Sequence, residues 1–131
     1  MSENLLTDLL KYYLDVNLNM SINLPLGKWN IYGNEEQGTL EIKTVDATGN
    51  LTGTAFGDNI TGVYNASAGV IHFSRKMNTS ALDYQVYNGN ISVVATNVDA
   101  PEFLLAGSYH GFPFQLWPWY GWYATIKKVI P

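Results

Sequence analysis

The stretch that decides the fold is Gly49-Asn-Leu-Thr-Gly-Thr-Ala-Phe-Gly-Asp-Asn-Ile-Thr-Gly-Val-Tyr-Asn65. It holds two near-copies of one phrase, Leu51-Thr52-Gly53-Thr54 and Ile60-Thr61-Gly62-Val63-Tyr64, separated by the turn-forming set Gly57-Asp58-Asn59. Each copy reads as a strand, and so short a connection makes the two antiparallel. A glycine at the centre of a strand weakens a flat sheet and marks a bend or a close backbone approach. Glycines at matching places in successive strands suit a small closed barrel, whose strands must coil sharply.

Working outward, alternation recurs on both sides. Trp29, Ile31 and Gly33 share one face of a segment opened by Leu26-Gly27-Lys28. Thr39–Val45 sets Leu40, Ile42 and Thr44 against Glu41, Lys43 and Val45, after a polar turn over Asn34–Gly38. Val70–Met77 sets Ile71, Phe73 and Arg75 against His72, Ser74 and Lys76. Residues 82–95 are strand-like but contain Asn88-Gly89, a strong hairpin signal, so two strands are expected there, with one bulged strand as the alternative. Phe103–His110 has Gly107 at its centre, Gly111–Pro118 reads as irregular, and Trp119–Ile130 sets Trp122, Ala124 and Ile126 against Tyr123, Thr125 and Lys127. Eight to ten strands follow one another with no helix between them. The expectation is an all-β, closed up-and-down antiparallel barrel of about eight strands over residues 25–131.

Residues 1–24 read differently. Leu5, Leu6, Leu9, Leu10, Tyr13 and Leu14 recur at helical spacing, with Ser2 as N-cap, which predicts an N-terminal amphipathic helix. So short a helix must pack on something, either an end of its own domain or another subunit. Val16, Leu18, Met20, Ile22 and Leu24 then alternate in an extended arm that ends at Pro25.

Bulk composition narrows the function. The 131 residues suit one domain, and 47% hydrophobic against 14% charged content excludes a disordered chain or a coiled coil. With a net charge of −4 and a single arginine, the chain lacks the basic face that nucleic acid or an anionic membrane requires. It has no cysteine, so neither disulfides nor thiol chemistry enter. Without an apolar run of about 18 residues or a secretory leader, a soluble cytoplasmic protein is expected. Asn-x-Ser/Thr triplets at Asn19, Asn50, Asn59, Asn65, Asn78 and Asn90 are read as turn chemistry.

Several phrases resemble the avidin/streptavidin branch of the calycin (lipocalin-like) barrels. Gly27-Lys28-Trp29 matches the family's opening Gly-x-Trp, and Leu51–Thr54 and Thr61–Tyr64 match its Leu-Thr-Gly-Thr and Thr-Gly-x-Tyr strands. Gly107-Ser108-Tyr109 matches a later Gly-x-Tyr. The resemblance implies an eight-stranded barrel that oligomerises through its walls. It does not carry the biotin site: Ala55 stands where the family's binding tyrosine follows Leu-Thr-Gly-Thr, and Ile31 stands where an asparagine follows the tryptophan. No late aspartate is found over Trp119–Pro131. The resemblance also implies a late lysine, Lys127 or Lys128, covering Trp29.

No nucleophile motif, phosphate loop or metal cluster is present, so no cofactor is expected. Barrels of this size are filled by side chains or hold one small ligand. A small hydrophobic or anionic ligand held inside would meet Arg75, Phe73, Tyr64, Tyr87, Tyr109, Trp117 and Trp122. The alternative for Arg75 is a surface place or a pair with Asp83. His72 and His110 are expected to be structural rather than metal ligands. Phe112–Tyr123 is the densest apolar run and suits a lid, a core closure or a subunit contact. The sequence thus leads to a non-enzymatic, self-associating barrel that binds a small ligand or is packed solid. The alternatives are an interaction module docking through the helix and aromatic loop, and a barrel isomerase or cyclase.

Overall fold

The computed structural model describes residues 21–77, 84–95, 100–112 and 119–128. The predicted helix over residues 2–15, Asp83, and the loop carrying Trp117 lie outside them. Eight strands make one closed antiparallel barrel in sequence order: β1 Gly27–Gly33, β2 Glu36–Val45, β3 Asn50–Ala55, β4 Asp58–Asn65, β5 Val70–Lys76, β6 Tyr84–Ala95, β7 Glu102–Phe112 and β8 Tyr120–Lys127. β1 pairs with β8 from Asn30–Thr125 to Gly33–Trp122, which closes the ring. Closure leaves no sheet edge on which another strand could build.

The repeated phrase folds as its glycines require. Gly53 faces Ile60 on the neighbouring strand, and Gly62 faces both Leu51 and Phe73. A Cβ on Gly62 would run into the backbone of His72 and Phe73. At this bend adjacent strands approach too closely for any side chain. The connection between β3 and β4 is Phe56-Gly57, both at positive φ (51° and 83°), one step earlier than Gly57-Asp58-Asn59. Likewise only Asn34-Glu35 turns between β1 and β2, again with both φ positive (46° and 67°), so β2 begins earlier than the polar composition of Asn34–Gly38 suggests. Two consecutive residues at positive φ give the turn whose twist matches the flanking strands.

Three sequence expectations are corrected. Tyr84–Ala95 is one strand, not a hairpin: Asn88 pairs with Ser108 and Gly89 with Gly107 at mid-strand. A register shift between Ile42 and Thr44 turns Thr44 outward, where its hydroxyl lies 2.6 Å from that of Thr52, and lets Val45 pack against the core. Of the Asn-x-Ser/Thr triplets, Asn50 and Asn65 do serve turns. Asn50 bonds Asp46, and Asn65 accepts from Ser67 and Ala68. Asn59 and Asn90 instead sit within β4 and β6, while Asn19 and Asn78 lie outside the described residues.

The core fills the barrel from end to end. Trp29, Ile31, Leu40, Ile42, Leu51, Ile60, Ile71 and Leu105 are at most 2% exposed. Residues 21–26 cross one end, where Leu24 is buried and Ile22 packs on the core. The Trp29 indole N–H donates to the Pro25 carbonyl (3.0 Å), and Lys128 Nζ donates to the Leu26 carbonyl (2.8 Å). The late lysine therefore does reach the end that holds Trp29, but it binds the backbone of the arm.

Candidate functional site

Among the described residues three places hold chemistry: the mouth opposite the arm, the outer wall of β7–β8–β1, and a groove beside the arm.

At the mouth, β5 presents Ile71, Phe73 and Arg75 on its inner side. Arg75 is thereby brought inward, as its phase with Phe73 predicts. Its Nε and Nη2 lie 2.8 and 2.7 Å from Oδ2 of Asp58, and its Nη1 donates to Oε1 of Gln85 at 2.9 Å. Both side chains of the ion pair are largely buried, 14% and 13% exposed. The guanidinium also lies 4.8 Å from the ring centroid of Phe56, whose ring in turn occupies the space beside Gly38. Tyr87 donates to the same Oε1 of Gln85 at 2.6 Å. Burial pushes the Tyr87 hydroxyl up to about 12, against the opposing pull of Arg75, so it keeps its proton at neutral pH. Each nitrogen of Arg75 meets a protein acceptor, which engages three of its five N–H groups and sets its charge against that of Asp58.

Below this network the rings pack on one another. Tyr87 stacks between Phe73 and Tyr109, both at 4.6 Å between centroids, and Tyr109 leans on Tyr120 at 5.5 Å. Trp122 stands edge-on to Phe73 and Tyr87, 5.7 Å from each. Its indole N–H is shared between the carbonyls of Asn88 (3.1 Å) and Ser108 (3.2 Å). Among the candidate ligand residues, Arg75, Phe73, Tyr87, Tyr109 and Trp122 are thus brought together, with each ring in contact with its neighbours. Tyr64 is apart from them: at the arm end, its hydroxyl donates to the Ile22 carbonyl, and burial pushes its pKa up to about 12.

Sequence reasoning took Asp58 as a turn residue and did not single out Gln85 or Phe56. The signal for Asp58 was available. It stands two residues before the inward Ile60, and Ile60 faces Arg75 across the β4–β5 pair. For Gln85 the signal was its phase with Tyr87.

The two histidines stay separate, both on the outside. His72 Nδ1 contacts Oδ1 of Asn88, and the His110 ring lies 3.8 Å from Trp119. Among the described residues no three potential metal ligands gather, and no helix is long and apolar enough to cross a membrane.

On the outer wall, Tyr32 of β1 stacks on Tyr123 of β8, with centroids 4.8 Å apart and planes 18° apart. Tyr123 is 47% exposed and Trp119 is 61% exposed. Between these two aromatic places the outward residues of β7 and β8 are small: Ala106, Ser108 and Gly121. The outward positions from Leu104 to His110 and from Gly121 to Thr125 carry no lysine, arginine or carboxylate.

Comparison with protein-family models, with curated proteins and with solved structures gave no match. The reading of function therefore rests on the geometry.

Proposed function

We propose that this chain is a non-enzymatic barrel of the calycin type that works through its outer surface and self-associates by the β7–β8–β1 wall. The observation that carries the reading is the stack of half-buried Tyr32 on exposed Tyr123, beside outward positions of β7 and β8 that hold no lysine, arginine or carboxylate. Large apolar side chains grouped on a surface mark a contact site. Because the barrel is closed, strand addition is not available, and association has to be face to face. Two copies of one chain bring identical charges together. Over Leu104–His110 of β7 and Gly121–Thr125 of β8 the wall is free of lysine, arginine and carboxylates, which lessens that repulsion in a chain whose net charge is −4. The small residues between the two aromatic places leave room for the partner's tyrosines.

The calycin assignment draws support from the Gly-x-Trp at the start of β1, whose indole is buried and tied to the arm. A ligand inside the barrel has less support, since Phe73, Tyr87, Tyr109 and Trp122 are in ring contact with one another. The isomerase reading has less still, since the Tyr87 hydroxyl donates to Gln85 and Arg75 is engaged by Asp58 and Gln85.

The test is native mass spectrometry and sedimentation of the full chain beside Tyr123→Lys. Dimers or higher oligomers are expected for the wild type. The variant should be monomeric with an unchanged far-ultraviolet dichroism spectrum. A wild type that stays monomeric throughout the micromolar range would remove the proposal.

A further inference from the structure

Beside the arm lies a groove of about 1010 Å3, on the outside of the barrel. Its lining sets the apolar Leu24, Leu26, Val45, Val63, Ala66 and Val70 beside the polar turns at 46–48 and 65–67. Leu26 and Val63 are 44% and 46% exposed, unusual for large aliphatic side chains gathered in one concave place.

We propose that this groove seats the chain's own segment 2–15, through the stripe Leu5, Leu6, Leu9, Leu10, Tyr13 and Leu14. Three observations converge on that occupant. The arm itself forms one side of the groove, through Asn23, Leu24 and Leu26. The Tyr64 hydroxyl holds the Ile22 carbonyl, and Tyr64 is also a groove residue, so the chain preceding Ser21 starts at the groove's rim. Residues 16–20 span at most about 17 Å when extended, enough to fold segment 2–15 back but not to carry it to the far mouth of the barrel. A 14-residue segment with one apolar stripe is unstable by itself in water, and an aliphatic groove within reach supplies the face it lacks. The proposal is independent of how copies associate through the β7–β8–β1 wall.

Because the chain has no cysteine, disulfide trapping reads this contact without background. In the full chain, Leu9→Cys combined with Val63→Cys should form an intrachain disulfide under mild oxidation, running as a monomer on a non-reducing gel. Leu9→Cys combined with Gln37→Cys, at the opposite end, should not. A disulfide-linked dimer from the first pair would assign the groove to a second copy, and no disulfide would leave it to another occupant; either result overturns the proposal. A second arm needs no cross-link. Val63→Asp changes an outward, half-exposed side chain and should leave the barrel folded, while tryptic cleavage after Lys11 should quicken by about ten-fold or more, as the released segment becomes accessible. Unchanged cleavage, or a small apolar molecule retained in native mass spectra of the wild type and lost from Val63→Asp, counts against the segment.

Discussion

Gly89 lies directly beneath the indole of Trp122: a Cβ on Gly89 would stand 2.8 Å from Cζ2 of that ring and 2.8 Å from the Ala106 carbonyl oxygen. The ring fills the space that Gly89 leaves open, and its N–H reaches the carbonyls of Asn88 and Ser108, the cross-strand pair next to Gly89–Gly107. Gly89→Ala should therefore destabilise the barrel by about 1–3 kcal/mol, the cost of overpacking a filled core. Gly107→Ala should cost more, since its Cβ would fall on the backbone of Asn88 and Gly89. Gly57→Ala, where a Cβ would meet nothing within 4 Å but φ is 83°, isolates the backbone strain. Equilibrium urea unfolding of the three variants checks the order; a Gly89→Ala as stable as wild type would show that the core is loose.

Trp122→Phe should cost about 2–3 kcal/mol in the same assay. It removes the N–H shared by two part-buried carbonyls and leaves a void against Phe73 and Tyr87. Retained stability would mean that the indole nitrogen contributes nothing to holding β6 and β7 at this bend.

For the ion pair at the mouth, removing one member leaves a largely buried charge alone. Asp58→Asn and Arg75→Met should each destabilise by about 1–3 kcal/mol, below the range for fully buried pairs because both groups keep some contact with water. The double variant should cost less than the sum, and a double-mutant cycle with no coupling would contradict the pairing.

Burial sets the alkaline limit. Tyr64 and Tyr87 are both pushed up to about 12 in the folded chain from an ordinary value of 10.0. Between these values the unfolded chain releases protons that the folded chain retains, so rising pH favours unfolding. Their contribution is intact below pH 10 and is lost as the pH climbs towards 12. The denaturation midpoint should fall steeply over that window, and less steeply in Tyr87→Phe. At neutral pH that variant loses only the hydroxyl bond to Gln85, about 1 kcal/mol. An equal slope in the two proteins would refute the assignment to Tyr87.

Much of the architecture was legible because parity is hard to hide. Trp29 with Ile31, Ile71 with Phe73 and Arg75, and Trp122 with Ala124 all occupy the inner face that alternation predicts. What failed was local chemistry overridden by the rest of the barrel. Asn88-Gly89 has the composition of a turn, but Gly89 is there to admit the Trp122 ring, a reason more than thirty residues away in the chain and invisible to a local reading. The register shift at Ile42–Thr44 reverses the side of Val45 with no glycine or proline to announce it. Asp58 looked like a turn residue because turns are rich in aspartate. Its inward place emerges only once Ile60 is set opposite Arg75. The aromatic pairing of Tyr32 with Tyr123 depends on the β1–β8 closure, which a sequence does not number.

That closure also sets a timetable. Seven of the eight strand pairings join consecutive strands, and only β1–β8 spans the chain. Zipping hairpin by hairpin costs little loop entropy at each step, whereas the final seam has to bring together parts of the chain that are remote from one another. The seam from Asn30–Thr125 to Gly33–Trp122 is thus the pairing that closes the longest loop and carries the largest closure cost in the barrel.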